Sequence, residues 1–169
     1  LAVSLNRRDY GSLIDFYHGY QDLRKKKVRV LHGKSFLDDP TRIFRAVRFE
    51  QRFDFSIEPY TLGLLRQAIK AGALSLVNEH RLRDEMILIF RESDPLSCLR
   101  RINNLMGFSF ISPHLKLNTN DLSLLRRIHL SLHWYAARFP GQPPLVDWSV
   151  YFLGLINRLP QRAREVFSN

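Results

Sequence analysis

The 169-residue chain holds a single cysteine, Cys98, so neither an internal disulfide nor a thiolate metal cluster can form. Cys98 stands among Leu96, Leu99 and Ile102, where a small buried residue is expected. Its solitude fits a reducing, cytoplasmic compartment. Long apolar runs are missing too. None approaches the ~18 residues of a membrane span, so no membrane partner is expected. Internal repeats and low-complexity tracts are absent. Acidic residues are scarce, with 16 Asp and Glu against 26 Lys and Arg and a formal net charge of +10 at pH 7. That excess favours polyanions: nucleic acid, nucleotides or an acidic membrane surface. The alternative is a solvated basic surface with no partner.

What is present is an ordinary globular composition, 45% hydrophobic. The chain starts at Leu1 inside the apolar run LAVSL and stops at Asn169, shortly after Pro160 opens what reads as a new helix. It is read as a piece of a longer protein. LAVSL and KKVRVLH are short β-rich runs, and GSLIDFYHGYQDL lies between them with Gly11 and Gly19 as turn punctuation. After Gly33 the pattern turns helical. The fold class is therefore mainly α, a helical array preceded by a small β remnant.

Helix starts are legible from caps. Asp38 or Asp39, followed by Pro40, predicts the first helix. Glu58-Pro59 predicts a second, ending near Gly72. A third runs from about Asn78 to Arg91 with Leu82, Met86, Ile89 and Phe90 inward. Asp94-Pro95 opens a fourth with Leu96, Leu99, Ile102 and Met106 inward, stopped by Gly107. FSFISPHLKLNTN is a connector. A long helix follows over about Asp121 to Phe139, PGQPP breaks it, and Asp147 caps a last one carrying Trp148, Tyr151, Phe152, Leu155 and Leu159.

The segment SFLDDPTRIFRAVRFEQRF places Arg42, Arg45, Arg48 and Arg52 on the first helix, just after Asp38 and Asp39. At ~100° per residue, Ile43, Phe44, Ala46, Val47, Phe49 and Phe53 cover well over half of its circumference. Arg45, Arg48 and Arg52 share the narrow remaining stripe, with Arg42 at its edge. Asp39 and Arg42 are three apart, so their side chains lie side by side. A carboxylate beside a guanidinium can accept from an exocyclic amino group and donate to the neighbouring ring nitrogen. Adenine and cytosine present that edge; guanine and uracil present the opposite polarity. A mismatch would leave charged groups unpaired, and such sites can discriminate by factors on the order of 10⁴. Arg45 and Arg48 continue along the same side, where a triphosphate could lie.

With VRVLHGKSF and GSLIDFYHGYQDL upstream of it, DDPTRIFRAVRF resembles the class II tRNA nucleotidyltransferases and bacterial poly(A) polymerases. The family pattern is an acidic pair, two residues and an arginine, after a turn segment with spaced Asp and Gly. Here these are Asp38-Asp39 and Arg42, with Asp38 in place of the more usual glutamate, and Gly11, Asp15, Gly19 and Asp22. HRLRDEM matches more weakly, through Arg81 and Glu85 at i, i+4, and carries His80 where the family usually has glutamate. The resemblance is strong over Leu1 to Phe55, moderate to Arg91 and faint beyond. It implies a domain order: residues 1–32 as the last strands of a catalytic head, 33–92 as a nucleotide-selecting neck, and 93–169 as the start of an RNA-binding body. It implies transfer of AMP, either alone or along with CMP, from ATP or from ATP and CTP to the 3′ end of tRNA. The head would bind Mg²⁺, so this segment would hold neither metal ligands nor catalytic carboxylates. Asp39, Arg42, Arg45 and Arg48 would bind the nucleotide. Gly11, Asp15, Gly19 and Asp22 would form the head–neck hinge, and Arg81 and Glu85 would support the neck. The opening AVSLN, LIDFYHGYQDL and RFEQRFDF look more like the A-adding branch. The oligomeric state is not implied.

Simpler roles stand beside these. Asp39 reads equally as a helix N-cap, with Asp38 as the cap if Asp39 serves the base. Arg45, Arg48 and Arg52 could form a solvated stripe, and Arg81 with Glu85 a surface pair. Arg7-Arg8-Asp9 imitates a family motif but follows LAVSL instead of preceding it, and is read as coincidence. His129 and His133 have zinc-like spacing without a third ligand, and His114 stands apart. Trp134, Tyr135 and Trp148 could stack RNA bases, but core packing is the expected role. A poly(A) polymerase of the same family and a non-catalytic helical RNA-binding module are the rival readings.

Overall fold

The structure is a computed structural model, and it describes residues 1–113, 115–142, 145 and 147–161. The chain divides into two compact units, Leu1–Val77 and Asn78–Asn169. His114, Pro143 and Pro144 lie outside the described residues, as does most of the helix expected after Pro160.

In the first unit, β1 (Ala2–Val3) pairs antiparallel with β2 (Leu13–Ile14). The turn between them closes at Gly11, whose φ of 83° lies in the left-handed region that glycine adopts without a Cβ clash. The hairpin and the segment after it show much apolar surface: Leu5 is 79% and Phe16 84% exposed. Gly19 was expected to mark a turn, yet a helix, α1 (Gly19–Arg24), begins there. The Asp15 carboxylate explains this. It accepts the Gly19 and Tyr20 backbone N–H groups at 2.9 and 2.8 Å, which a helix start otherwise leaves open.

Next, β3 (Lys27–Val28) pairs in parallel with the distant β4 (Ser56–Ile57). Two short helices were not separated in the sequence pattern: α2 (Ser35–Asp38) and α3 (Arg42–Arg52). Asp39 breaks between them with extended backbone, φ −146° and ψ 93°. A residue before proline is pushed out of the helical region, so Pro40 ends α2 as well as preparing α3. Then come α4 (Pro59–Lys70), capped by Glu58 accepting from the Thr61 N–H at 2.8 Å, and a 3₁₀ turn at Ala73–Leu76.

Phe36, Ile43, Phe44, Val47, Leu65 and Ala68 form the unit's core, none more than 1% exposed. Each large side chain there contributes roughly 1.5–3 kcal/mol of burial. The apolar face of α3 is narrower than its periodicity predicts. Phe49 is half-buried and Phe53 is 51% exposed. The helix stops at Arg52 and the chain reverses at Asp54 (φ 52°), so Phe53 leaves the helical projection. Glu50 occupies the inner face instead, 8% exposed, with Oε1 accepting from the Ile57 N–H of β4 at 3.4 Å.

The second unit contains α5 (Glu79–Phe90), α6 (Pro95–Leu105), α7 (Thr119–Arg138) and α8 (Asp147–Ile156). Asn78 and Asp94 cap α5 and α6 by accepting from the His80 and Ser97 N–H groups, as the sequence suggests. Leu82, Met86, Ile89, Phe90, Leu96, Cys98, Leu99 and Ile102 are buried, whereas Met106 is only half-buried because α6 ends before it. At α7 a reciprocal capping box between Asn118 and Asp121 sets the start. Asn103 does what a strand neighbour would do for the connector. Its amide accepts from the Leu117 N–H at 2.8 Å and donates to the Leu117 carbonyl at 3.0 Å. Trp134 is 63% exposed and Tyr135 and Trp148 are half-buried, so the expected core packing does not hold for Trp134.

Candidate functional site

The acidic turn before α3 is a built structure. Thr41 is 3% exposed and donates its hydroxyl to Asp39 Oδ1 at 2.6 Å, while its N–H reaches the same oxygen at 3.2 Å. Asp39 therefore holds the turn into α3 through Thr41, which is the N-cap residue, and Asp38 does not. Asp38 sits in α2 with its carboxylate 3.8 Å from His32 Nδ1. Arg42 is anchored backwards onto α2. Its Nη1 donates to Ser35 Oγ at 2.8 Å and to the Ser35 carbonyl at 3.3 Å. The Arg42 Nε lies 3.9 Å from Asp39 Oδ2, so the two groups do stand side by side. Both remain partly open, the Asp39 side chain 22% and the Arg42 side chain 39% exposed.

Along α3, Arg45 and Arg52 are exposed and Arg48 is half-buried. The guanidinium of Arg48 lies 5.9 Å from the Phe49 ring centroid, and that of Arg52 lies 6.0 Å from the Phe53 ring. Such contacts steady a cation by about 0.5–1 kcal/mol at exposed sites. From Arg42 to Arg48 the helix rises about 9 Å. The one acid of α3, Glu50, is buried, 8% exposed, with Oε1 on the Ile57 N–H.

The other expected residues fall elsewhere. Asp22 holds Arg29 through Nε at 2.9 Å and Nη2 at 2.8 Å, and Arg29 also donates to the Tyr17 carbonyl at 2.6 Å. With Asp15 on the N-terminus of α1, two of the expected hinge residues fix one segment. The backbone hydrogen bonds from Gly19 and Tyr20 hold the Asp15 carboxyl below its ordinary pKa. Gly11 stands in the separate β-turn. Arg81 and Glu85 lie on α5 in the second unit, exposed and half-buried. Sequence reasoning missed Ser35 and Thr41. The only trace of either is its nearness to the acidic pair.

No group of three or more His, Cys, Asp or Glu side chains among the described residues could hold a metal ion. In the second unit the His129 and His133 rings lie 4.4 Å apart between centroids, tilted by 56°, beside a cavity of about 360 Å³, and His129 Nδ1 pairs with the Tyr151 hydroxyl at 2.6 Å.

No family model matches the chain. It is 42% identical over 160 residues to an A-adding tRNA nucleotidyltransferase of Geobacter sulfurreducens, covering 95% of this chain and 18% of that protein. A solved complex of a CCA-adding enzyme with ATP superposes with a TM-score of 0.86 at 35% identity, covering 98% of this chain and 39% of the other. A tRNA nucleotidyltransferase complexed with a primer tRNA and an incoming ATP analogue gives 0.85 at 34% identity, covering 98% and 48%. The chain thus spans less than a fifth of the Geobacter protein and under half of the solved chains.

Proposed function

Because this chain belongs with the A-adding and CCA-adding tRNA nucleotidyltransferases, we propose that it forms the base-selecting and RNA-binding part of an enzyme that adds AMP, either alone or along with CMP, to the 3′ end of tRNA. The observation that carries this reading is the Asp39–Arg42 pair, partly open and 3.9 Å apart at the entry to α3, with Arg45 and Arg48 beyond it. Asp39 accepts from the exocyclic amino group of adenine or cytosine, and Arg42 donates to the adjacent ring nitrogen. Arg45 and Arg48 face the triphosphate. Residues 1–32 are the end of the catalytic head and 33–92 the neck, with Gly11, Asp15, Gly19 and Asp22 near the hinge and Arg81 and Glu85 in support. Residues 93–169 begin the body. The terminal 3′-hydroxyl of the tRNA attacks the α-phosphate, a P–O bond forms, and pyrophosphate leaves. We place Mg²⁺ on residues outside this chain and the enzyme in the cytoplasm. No helix among the described residues is long and apolar enough to cross a membrane.

The test is kcat/KM for ATP, CTP, GTP and UTP in the complete enzyme. Asp39→Asn keeps an oxygen for the Thr41 cap but brings a donor to the base. Arg42→Lys keeps the charge but loses the planar fork. Each should lower ATP use by about ten- to more than a hundredfold and erode rejection of GTP and UTP. Arg45→Ala and Arg48→Ala should slow all four triphosphates alike. Full retention of base preference in the Asp39 and Arg42 variants would reduce the pair to a cap and an ion pair. A complete protein that binds tRNA but incorporates nothing would favour the non-catalytic module.

A further inference from the structure

A carboxylate and a guanidinium three residues apart at a helix start have an easy alternative to reading a base. They can close on each other in a two-point ion pair, each satisfying the other. In this structure they do not. Arg42 Nε and Asp39 Oδ2 stay 3.9 Å apart, beyond hydrogen-bond range. Two almost fully buried side chains accompany that separation. Ser35 is 5% exposed, and its hydroxyl and carbonyl oxygens both accept from the single nitrogen Nη1, at 2.8 and 3.3 Å. Rotating the guanidinium toward Asp39 would break both bonds. Thr41 is 3% exposed, and its hydroxyl and N–H both donate to the single oxygen Oδ1, at 2.6 and 3.2 Å. Rotating the carboxylate would break both of those. Each charged group is thus gripped at one corner by two hydrogen bonds, from residues on opposite sides of the break between α2 and α3.

We infer that Ser35 and Thr41 are positioning residues for base selection, which hold Arg42 and Asp39 at fixed angles and keep their ion pair from closing into a hydrogen-bonded one. This rests on the reading of Asp39 and Arg42 as the base-contacting pair. A relaxed pair would still attract a triphosphate to the arginines but would no longer present a fixed polarity to the base. The loss therefore falls on the ratio between correct and incorrect nucleotides more than on overall capacity.

The experiment compares Ser35→Ala, Thr41→Val and Thr41→Ser in the complete enzyme, with thermal melting to confirm folding. The readout is the ATP-to-GTP ratio of kcat/KM. Ser35→Ala and Thr41→Val each remove one hydrogen bond to a charged group and should lower that ratio by about tenfold or more. Thr41→Ser keeps the hydroxyl and should restore it to within about threefold of wild type. Ser35→Ala removes one atom and carries the test by itself if Thr41→Val does not fold. If Asp39→Asn and Arg42→Lys erode the ratio while Ser35→Ala leaves it intact, the inference is overturned and the base-reading pair stands. If those two variants leave it intact, both fall.

Discussion

At position 129 an imidazole meets a phenol, and the pair gives the second unit a pH dependence whose sign can be worked out. Burial holds His129 below its ordinary 6.5, the neighbouring His133 adds to this, and Asp94 opposes it. The neutral ring shares a 2.6 Å hydrogen bond between Nδ1 and the Tyr151 hydroxyl, its direction set by the tautomer. A folded pKa below the unfolded one means that the unfolded chain takes up the proton first. The contribution is fully present above about pH 6.5 and is lost as pH falls through the folded value. Melting followed from about pH 7.5 to about pH 5 should show a decline in stability that His129→Gln makes shallower; equal slopes would refute it. At the other extreme, burial, with Asp147 and Asp94 nearby, pushes Tyr151 up to about 12, so stability falls again between about pH 10 and that value. The Asp39–Arg42 pair shows how far single residues are legible. Asp39 and Arg42 stood out because acid and base three apart on a helix must be neighbours. Ser35 and Thr41 did not, because a hydroxyl carries no pattern until the break at Asp39 sets Ser35 against the guanidinium seven residues on and Thr41 against the carboxylate two residues back.

Elements with a cap and a proline announced themselves: α4 behind Glu58-Pro59 and α6 behind Asp94-Pro95 begin where the sequence places them. Those made by tertiary or side-chain bonds did not, among them α1, which depends on Asp15, and β4, which has only β3 to pair with. Two glycines within elements or at their ends lead to opposite predictions. Gly63 lies inside α4 with no atom within 4 Å of a built Cβ, so Gly63→Ala should stabilise the fold by about 1 kcal/mol through helix propensity. Gly107, at φ 67° after α6, would bring a Cβ to 3.1 Å from the Leu115 carbonyl. That carbonyl is pinned, since it accepts from the Phe108 N–H at 2.8 Å. Gly107→Ala should therefore destabilise by about 1–3 kcal/mol. Denaturant melts of both variants decide the matter, and a shift of the same sign in the two would contradict this account of the turn.

At the scale of the whole chain, the proposed RNA binding would rest on the net charge of +10. Binding of tRNA should weaken steeply with salt, the slope of log affinity against log salt rising by about 0.7–0.9 for each phosphate contacted. An affinity that hardly changes between low and moderate salt would mean that the basic excess does not serve RNA. The mainly helical fold class was legible from periodicity and composition, since the helices after Gly33 need only local signals. The parallel pairing of β3 with β4 was not, and it has a kinetic consequence. Only Lys27–Val28 and Ser56–Ile57 form that ladder, flanked by the Ser56 N–H to Lys26 carbonyl and Glu58 N–H to Val28 carbonyl bonds at 2.9 and 3.0 Å. Everything between, the acidic turn and α3 included, is a loop whose ends meet there. Closing such a loop costs entropy before it returns any contact, so the ladder forms late, once α3 already bridges much of the gap. A clasp that forms late is also among the first parts to open. Local opening that parts these two short strands would slacken the Asp39 turn from a distance, and the base selection proposed for that turn would then depend on how briefly the clasp stays undone.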